Sequence, residues 1–173
     1  MQRLPLLLVL LLSACAGGGP FGFSPQYVQT NDEEAALENV TEVGYEDVRR
    51  DPNGYAETEI SWFGIVTSID DSGVVEMTYR TLAPRNICAD ATDDSCRVTV
   101  SARAGGPFTA RVQLRPEDAR GEDRVWNNSL LRIVGRPTQE FDERGGPILE
   151  ATYYRHWPRG AYVTTAARSS MRR

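Results

Sequence analysis

The apolar positions of this chain follow three rhythms. Leu4 to Leu12 is an apolar run broken by Pro5 alone. Residues 31–54 are acid-rich, with two short helical stretches. Asn31 or Asp32 can cap a helix running through Glu33, Glu34, Ala35, Ala36, Leu37 and Glu38, whose early acids suit its N-terminal dipole. Tyr45 to Arg50 reads as a second helical turn, stopped by Asp51-Pro52-Asn53-Gly54. From Tyr55 onward the period shortens to two residues, the mark of strands. Glu59 to Ile69 is β-branched and aromatic, with Gly64 predicting a bulge or bend. Asp70-Asp71-Ser72-Gly73 turns the chain into Val74–Thr81, where Val75, Met77 and Tyr79 share a face. Leu82 to Ser95 lacks alternation and reads as a loop. Arg97–Ala104, Phe108–Leu114, Leu130–Arg136 and Ile148–Trp157 are the further predicted strands. Between the second and third of these lies a polar segment, Arg115 to Gly121, where Pro116 suits the first position of a helical turn.

Six or so short strands with turn signals between them predict a mainly β domain. The expected architecture is a small antiparallel, OB-like Greek-key barrel with short N-terminal helices. The body spans residues 31–160, and residues 161–173, without periodic apolar spacing, read as a disordered tail.

The first apolar run belongs to none of this. Arg3, the run itself, and the small residues Ser13 and Ala14 make an export signal over residues 1–14. The run is about half the roughly 20 residues of a membrane-spanning helix. Leu12-Ser13-Ala14-Cys15 resembles the bacterial lipobox. That resemblance implies cleavage before Cys15 and acylation of its thiol. Each buried methylene contributes about 0.8 kcal/mol, and one acyl chain binds marginally. The resemblance implies three chains, hence a permanent anchor, and Ala16 in place of Asp implies the outer membrane, with the body facing the periplasm. Residues 15–30, rich in Gly, Pro and Ser, read as a flexible tether with a reach of roughly 20 Å.

Charge narrows the partners. The chain carries a formal net charge of −5, and every basic residue except His156 is arginine. An acidic balance argues against nucleic acid, whose phosphates demand a basic footprint. With Cys15 taken by lipid, Cys88 and Cys96 are expected to form a disulfide, as exported chains favour. Two thiols and one distant histidine make no zinc site, and Asp90, Asp93 and Asp94 lack the spacing of an EF-hand loop.

Several motifs in order resemble the Slp-like outer-membrane lipoproteins. They are Asp51-Pro52-Asn53-Gly54-Tyr55 followed by Trp62-Phe63-Gly64-Ile65-Val66, then Gly106-Pro107-Phe108-Thr109-Ala110, then Leu131-Arg132-Ile133-Val134-Gly135. The series closes with Ile148-Leu149-Glu150, Tyr153-Tyr154 and His156-Trp157-Pro158. Two departures stand beside the match: Gln113 to Asp118 replaces the family's own stretch there, and the Cys88–Cys96 insert is foreign to it. The resemblance implies an envelope lipoprotein with no catalytic residues to carry over.

Candidate chemistry is sparse. His156, the single histidine, has no Gly-x-Ser-x-Gly or other nucleophile signature beside it, and reads as structural or surface. Phosphate loops and dinucleotide fingerprints are missing, so no cofactor is expected. Trp62, Phe63 and Phe108 read as core. Trp126, Trp157 and Tyr154 are the binding candidates, with Trp126 and Trp157 expected exposed at strand margins. The leading expectation is a non-enzymatic envelope module that binds a partner protein, peptidoglycan or another polymer, or supports the envelope structurally. The alternatives are a cell-wall or lipid hydrolase using acids around Asp118 or Glu150, and an OB-type oligosaccharide binder.

Overall fold

The computed structural model describes residues 23–24, 29–87 and 97–166. The lipobox-like stretch, Cys15, the expected export signal, and both Cys88 and Cys96 with their acidic loop lie outside the described residues. The elements are β1 (Phe23–Ser24), α1 (Asn31–Leu37), α2 (Tyr45–Arg50), β2 (Ile60–Ile69), β3 (Val74–Arg80) and β4 (Leu82–Ile87). They continue with β5 (Arg97–Val100), β6 (Pro107–Arg111), α3 (Pro116–Ala119), β7 (Leu130–Phe141), β8 (Pro147–Trp157) and β9 (Val163–Thr164).

Five strands close a barrel in the order β2-β3-β6-β8-β7, with β7 returning to β2. The connectivity is that of an OB-like Greek key, with α3 placed between the third and fourth barrel strands. The expected antiparallel barrel holds for four of the seams. The fifth, β6 to β8, is parallel (Thr109 opposite Ile148), because the chain crosses one end before β7 and returns to close the cylinder.

Alternation in the sequence becomes the core. Ile60, Trp62 and Val66 of β2 point inward with Val75 and Met77, Phe108 and Ala110, Leu131 and Ile133, and Leu149. Each large side chain buried this way contributes roughly 1.5–3 kcal/mol. Gly64 does not mark the bulge, which falls between Val66 and Ser68. Gly64 instead leaves room for an aromatic ring: a Cβ there would lie 2.7 Å from Phe108 Cε1. At the barrel's end Tyr45 of α2 donates its hydroxyl to Pro107 O (2.8 Å), and Trp62 Nε1 donates to Val43 O (2.9 Å). These bonds let two polar aromatics enter an apolar core.

A second sheet, ordered β1-β4-β5-β9, packs on the outside of the barrel. Val98 and Val100 of β5 meet Phe63, Leu130 and Trp157, which occupy the outer faces of β2, β7 and β8. Three expectations change here. Leu82–Ile87 is a strand, not a loop, because its pairing with β5 compensates for weak alternation and for Pro84. Phe23–Ser24, inside the stretch read as tether, pairs with β4. Residues 161–166, read as tail, are fastened instead: Ala161 and Tyr162 pack on this second core, and Val163 pairs in parallel with Thr99.

Helix α1 begins one residue earlier than expected, on Thr30, whose Oγ1 accepts the Glu33 N–H at 3.3 Å. It docks by a carboxylate. Glu33 is its buried residue, 0% exposed, and takes Arg132 Nη1 at 2.9 Å and Arg155 Nη1 at 2.6 Å. The two arginines lie opposite each other on β7 and β8. Arg132 lies over the Phe63 ring and Arg155 over the Trp157 ring, at 5.1 and 4.7 Å.

Candidate functional site

Barrel closure assembles one buried polar cluster from three places. Asp118 comes from α3, Ser129 from the end of the α3–β7 loop, and Tyr154 and His156 from β8. His156 Nδ1 lies 2.8 Å from Asp118 Oδ1, and Nε2 lies 3.2 Å from Ser129 Oγ. The Tyr154 hydroxyl donates to Asp118 Oδ2 at 2.6 Å, and Arg115 Nε donates to the same oxygen at 2.7 Å. Burial pushes the Asp118 carboxyl up, but hydrogen bonds from His156, Tyr154 and Arg115 outweigh it and hold the group at about 2. The Tyr154 phenol, first through burial and then through the neighbouring Asp118 carboxylate, is pushed up to about 12. An ionised Asp118 draws the proton of a neutral imidazole onto Nδ1. Nε2 then accepts from the Ser129 hydroxyl.

These are the distances of a nucleophile, a base and an orienting acid. Access is another matter. Ser129 is 1% exposed, and its Oγ also accepts the Trp126 N–H at 3.1 Å. A near-attack approach needs a substrate atom within about 3–3.5 Å of that oxygen, where the structure places protein. In this conformation the trio is a polar brace that ties the α3–β7 loop to β8.

What it braces is a loop presenting Trp126, which is 55% exposed. Val125 is buried beneath it, and its N–H donates to Asp118 O at 2.8 Å. Asn127 Nδ2 donates to Thr67 O, the Asn128 N–H to Val66 O, and Tyr162 OH to Asn128 O. Asn128 adopts φ 66°, the left-handed region that asparagine tolerates better than most residues. Arg124 lies over the Trp126 ring, its Cζ 4.5 Å from the centroid.

Of the three binding candidates, the structure keeps one at the surface. Trp157, expected exposed, is 1% exposed, because the second sheet covers the strand margin where it sits. Tyr154 is buried as well, its hydroxyl committed to Asp118. Glu150, named with Asp118 as a candidate acid, lies on a different face and holds Arg111 Nη1 at 2.6 Å.

That outer face of β3, β6 and β8 is where OB-like barrels commonly bind, flanked by the first and last hairpin turns. Here it is self-neutralised. Arg111 takes Glu140 and Glu150, both at 2.6 Å. Arg144, from the β7–β8 turn, reaches over Thr109 and holds Asp142 at 2.8 Å. Burial raises the Asp142 carboxyl, and the Gly146 N–H, the Thr109 hydroxyl and Arg144 bring it below its ordinary value. With Glu76 beside Arg144 the face has more carboxylates than guanidiniums, a poor match for phosphate. At the barrel's other end, two clefts of about 510 and 560 Å³ share Gly44, Tyr79 and Thr81.

Sequence reading missed Ser129, Glu33, Arg132 and Arg155. A signal existed for Arg132, a cation between two aliphatic residues in Leu131-Arg132-Ile133. The described residues include no group of three or more His, Cys, Asp and Glu placed to hold a metal ion. They also include no helix long and apolar enough to cross a membrane. By class this is an OB-like barrel protein with an accessory sheet. No known family model matches the chain, and no curated protein sequence matches it.

Proposed function

We propose that this protein is a lipid-anchored, non-enzymatic binding module of the bacterial envelope. Acylated Cys15 holds it to the outer membrane, and the barrel faces the periplasm to engage peptidoglycan or another envelope component. The observation that carries the binding reading is the contrast at the α3–β7 loop: a buried hydroxyl beneath and an exposed indole above. The barrel interior is filled by Trp62, Met77, Phe108, Leu131 and Leu149, so ligand contact falls to the surface. The expected export signal, the lipobox-like Leu12-Ser13-Ala14-Cys15 and the ordered motifs that resemble those of Slp-like lipoproteins support the location. Intact-mass analysis of membrane-extracted protein tests it. A chain starting at Cys15 with added acyl mass is expected, and a Cys15→Ser variant leaves the membrane fraction. An uncleaved or unmodified amino end would overturn the anchoring.

Hydrolysis has one observation in its favour, the distances of Ser129, His156 and Asp118. A fluorophosphonate probe decides between the readings. The binding module leaves Ser129 unlabelled, whereas stoichiometric labelling lost in Ser129→Ala would establish a hydrolase whose loop opens.

A further inference from the structure

Three independent features converge on residues 124–128. The first is exposure: Trp62 and Trp157 are buried, whereas Trp126 faces solvent. The second is conformation. Asn128 is held in the left-handed region by bonds to Val66 and Tyr162, which fix the path of the loop that carries the indole. The third is the chemistry around the indole. Arg124 stacks on it, donates to Gly121 O, and pairs with no carboxylate among the described residues. The exposed side-chain amide of Asn128 likewise has no partner among the described residues, and Glu122 and Asp123 stand exposed nearby in sequence.

An apolar protein pocket is best matched by an indole set among aliphatic side chains. This indole carries a guanidinium over its face, and its exposed chain neighbours are an amide and two carboxylates. A pyranose fits that surround, because its C–H face stacks on an aromatic ring while its hydroxyl, amide or carboxylate substituents take planar polar groups. We propose that the Arg124–Asn128 loop is a saccharide-binding platform, in which Trp126 stacks one sugar ring of a glycan polymer and Arg124 and Asn128 hold its substituents. The platform rests on the binding-module reading above and supplies its ligand class. It is open rather than enclosed, which suits the flank of an extended chain. The buried brace acts as its positioning device: Ser129 Oγ receives the Trp126 N–H and is itself set by His156 and Asp118. Preorganisation of this kind lowers the ordering cost of binding.

The test uses the full-length chain extracted in detergent. Tryptophan emission is followed during titration with two probes, muramidase-released peptidoglycan fragments and tri-N-acetylchitotriose. With the other indoles buried, a change in emission reports Trp126. A saturable change is expected with at least one probe. The variants are titrated by calorimetry, since two of them lack the reporting indole; there Trp126→Ala raises Kd about tenfold or more with an unchanged circular-dichroism spectrum, as expected for an anchor residue. Arg124→Ala raises it about threefold, and Trp126→Phe retains binding. Ser129→Ala weakens binding and lowers the fluorescence anisotropy of the exposed indole, which a role in folding alone would not do. Several results would overturn the platform: no saturable change with either saccharide, an unaltered Kd in Trp126→Ala, or a response confined to phosphatidylglycerol vesicles. Intact mass is read on the same sample, so the two readings fail separately. An unlipidated chain that still binds removes the anchor and keeps the platform, and a lipidated chain without a response does the reverse.

Discussion

Two ion clusters of this protein are near mirror images. On the barrel's accessory side, one carboxylate, Glu33, sits between two guanidiniums, Arg132 and Arg155. On the β3–β6–β8 face, one guanidinium, Arg111, sits between two carboxylates, Glu140 and Glu150. The distances are alike, at 2.6–2.9 Å in the first and 2.6 Å in both bonds of the second. Burial separates them: Glu33 is 0% exposed and the Arg111 side chain 43%. In the first, water cannot replace a lost partner. In the second it can, and salt screens what remains. Composition and geometry therefore say little about what an ion cluster contributes until its surroundings are known.

The largest break in this comparison should come from Glu33→Ala. Buried Arg155 and largely covered Arg132 would lose their shared anion, at a cost of about 3–5 kcal/mol in chemical denaturation. A loss below about 1 kcal/mol would mean that α1 is an ornament on the barrel. Acid should sharpen the contrast next. The folded value of Asp118, about 2, lies below its ordinary 3.8. Its contribution is therefore complete above pH 4 and lost as pH falls through 2. At about 1.36 kcal/mol per unit this amounts to about 2 kcal/mol. Urea midpoints for the parent chain should fall across that window, and Asp118→Asn should flatten the fall. Gly64→Ala, which drives a methyl against Phe108 and Met77, should cost about 1–3 kcal/mol without touching any charge. Arg111→Ala should cost under about 1 kcal/mol, with the difference fading in high salt. Smallest is Trp126→Ala, expected within about 0.5 kcal/mol of the parent in stability, which is what makes it a clean probe of binding.

The barrel was largely legible in the sequence. Val75, Met77 and Tyr79 alternate, so β3 announces itself, and β2 and β8 do so through their β-branched and aromatic content. Of the accessory sheet only β5 was legible, within Arg97–Ala104, and it was expected in the barrel rather than beside it. Leu82-Ala83-Pro84-Arg85-Asn86-Ile87 has neither alternation nor a proline-free run, and becomes a strand through its partner. The same limit hid the functional residues. Ser129 and His156 are 27 positions apart, and they meet because β7 and β8 pair with Leu131 opposite His156. Glu33 looks like any acid in the first turn of a helix, since no local pattern reports that two arginines will arrive from a hundred residues downstream. Trp157 misled for a related reason. It ends a strand, as exposed residues often do, but the chain folds back over it.

The parallel seam between β6 and β8 has a consequence for biogenesis. Sealing the cylinder needs β8, the last barrel strand in the chain, and the clamp on α1 needs Arg155, 122 residues beyond Glu33. Little of the native arrangement can lock before almost the whole polypeptide is present. A chain threaded amino end first through a narrow conduit would thus stay pliable during passage and set on the far side.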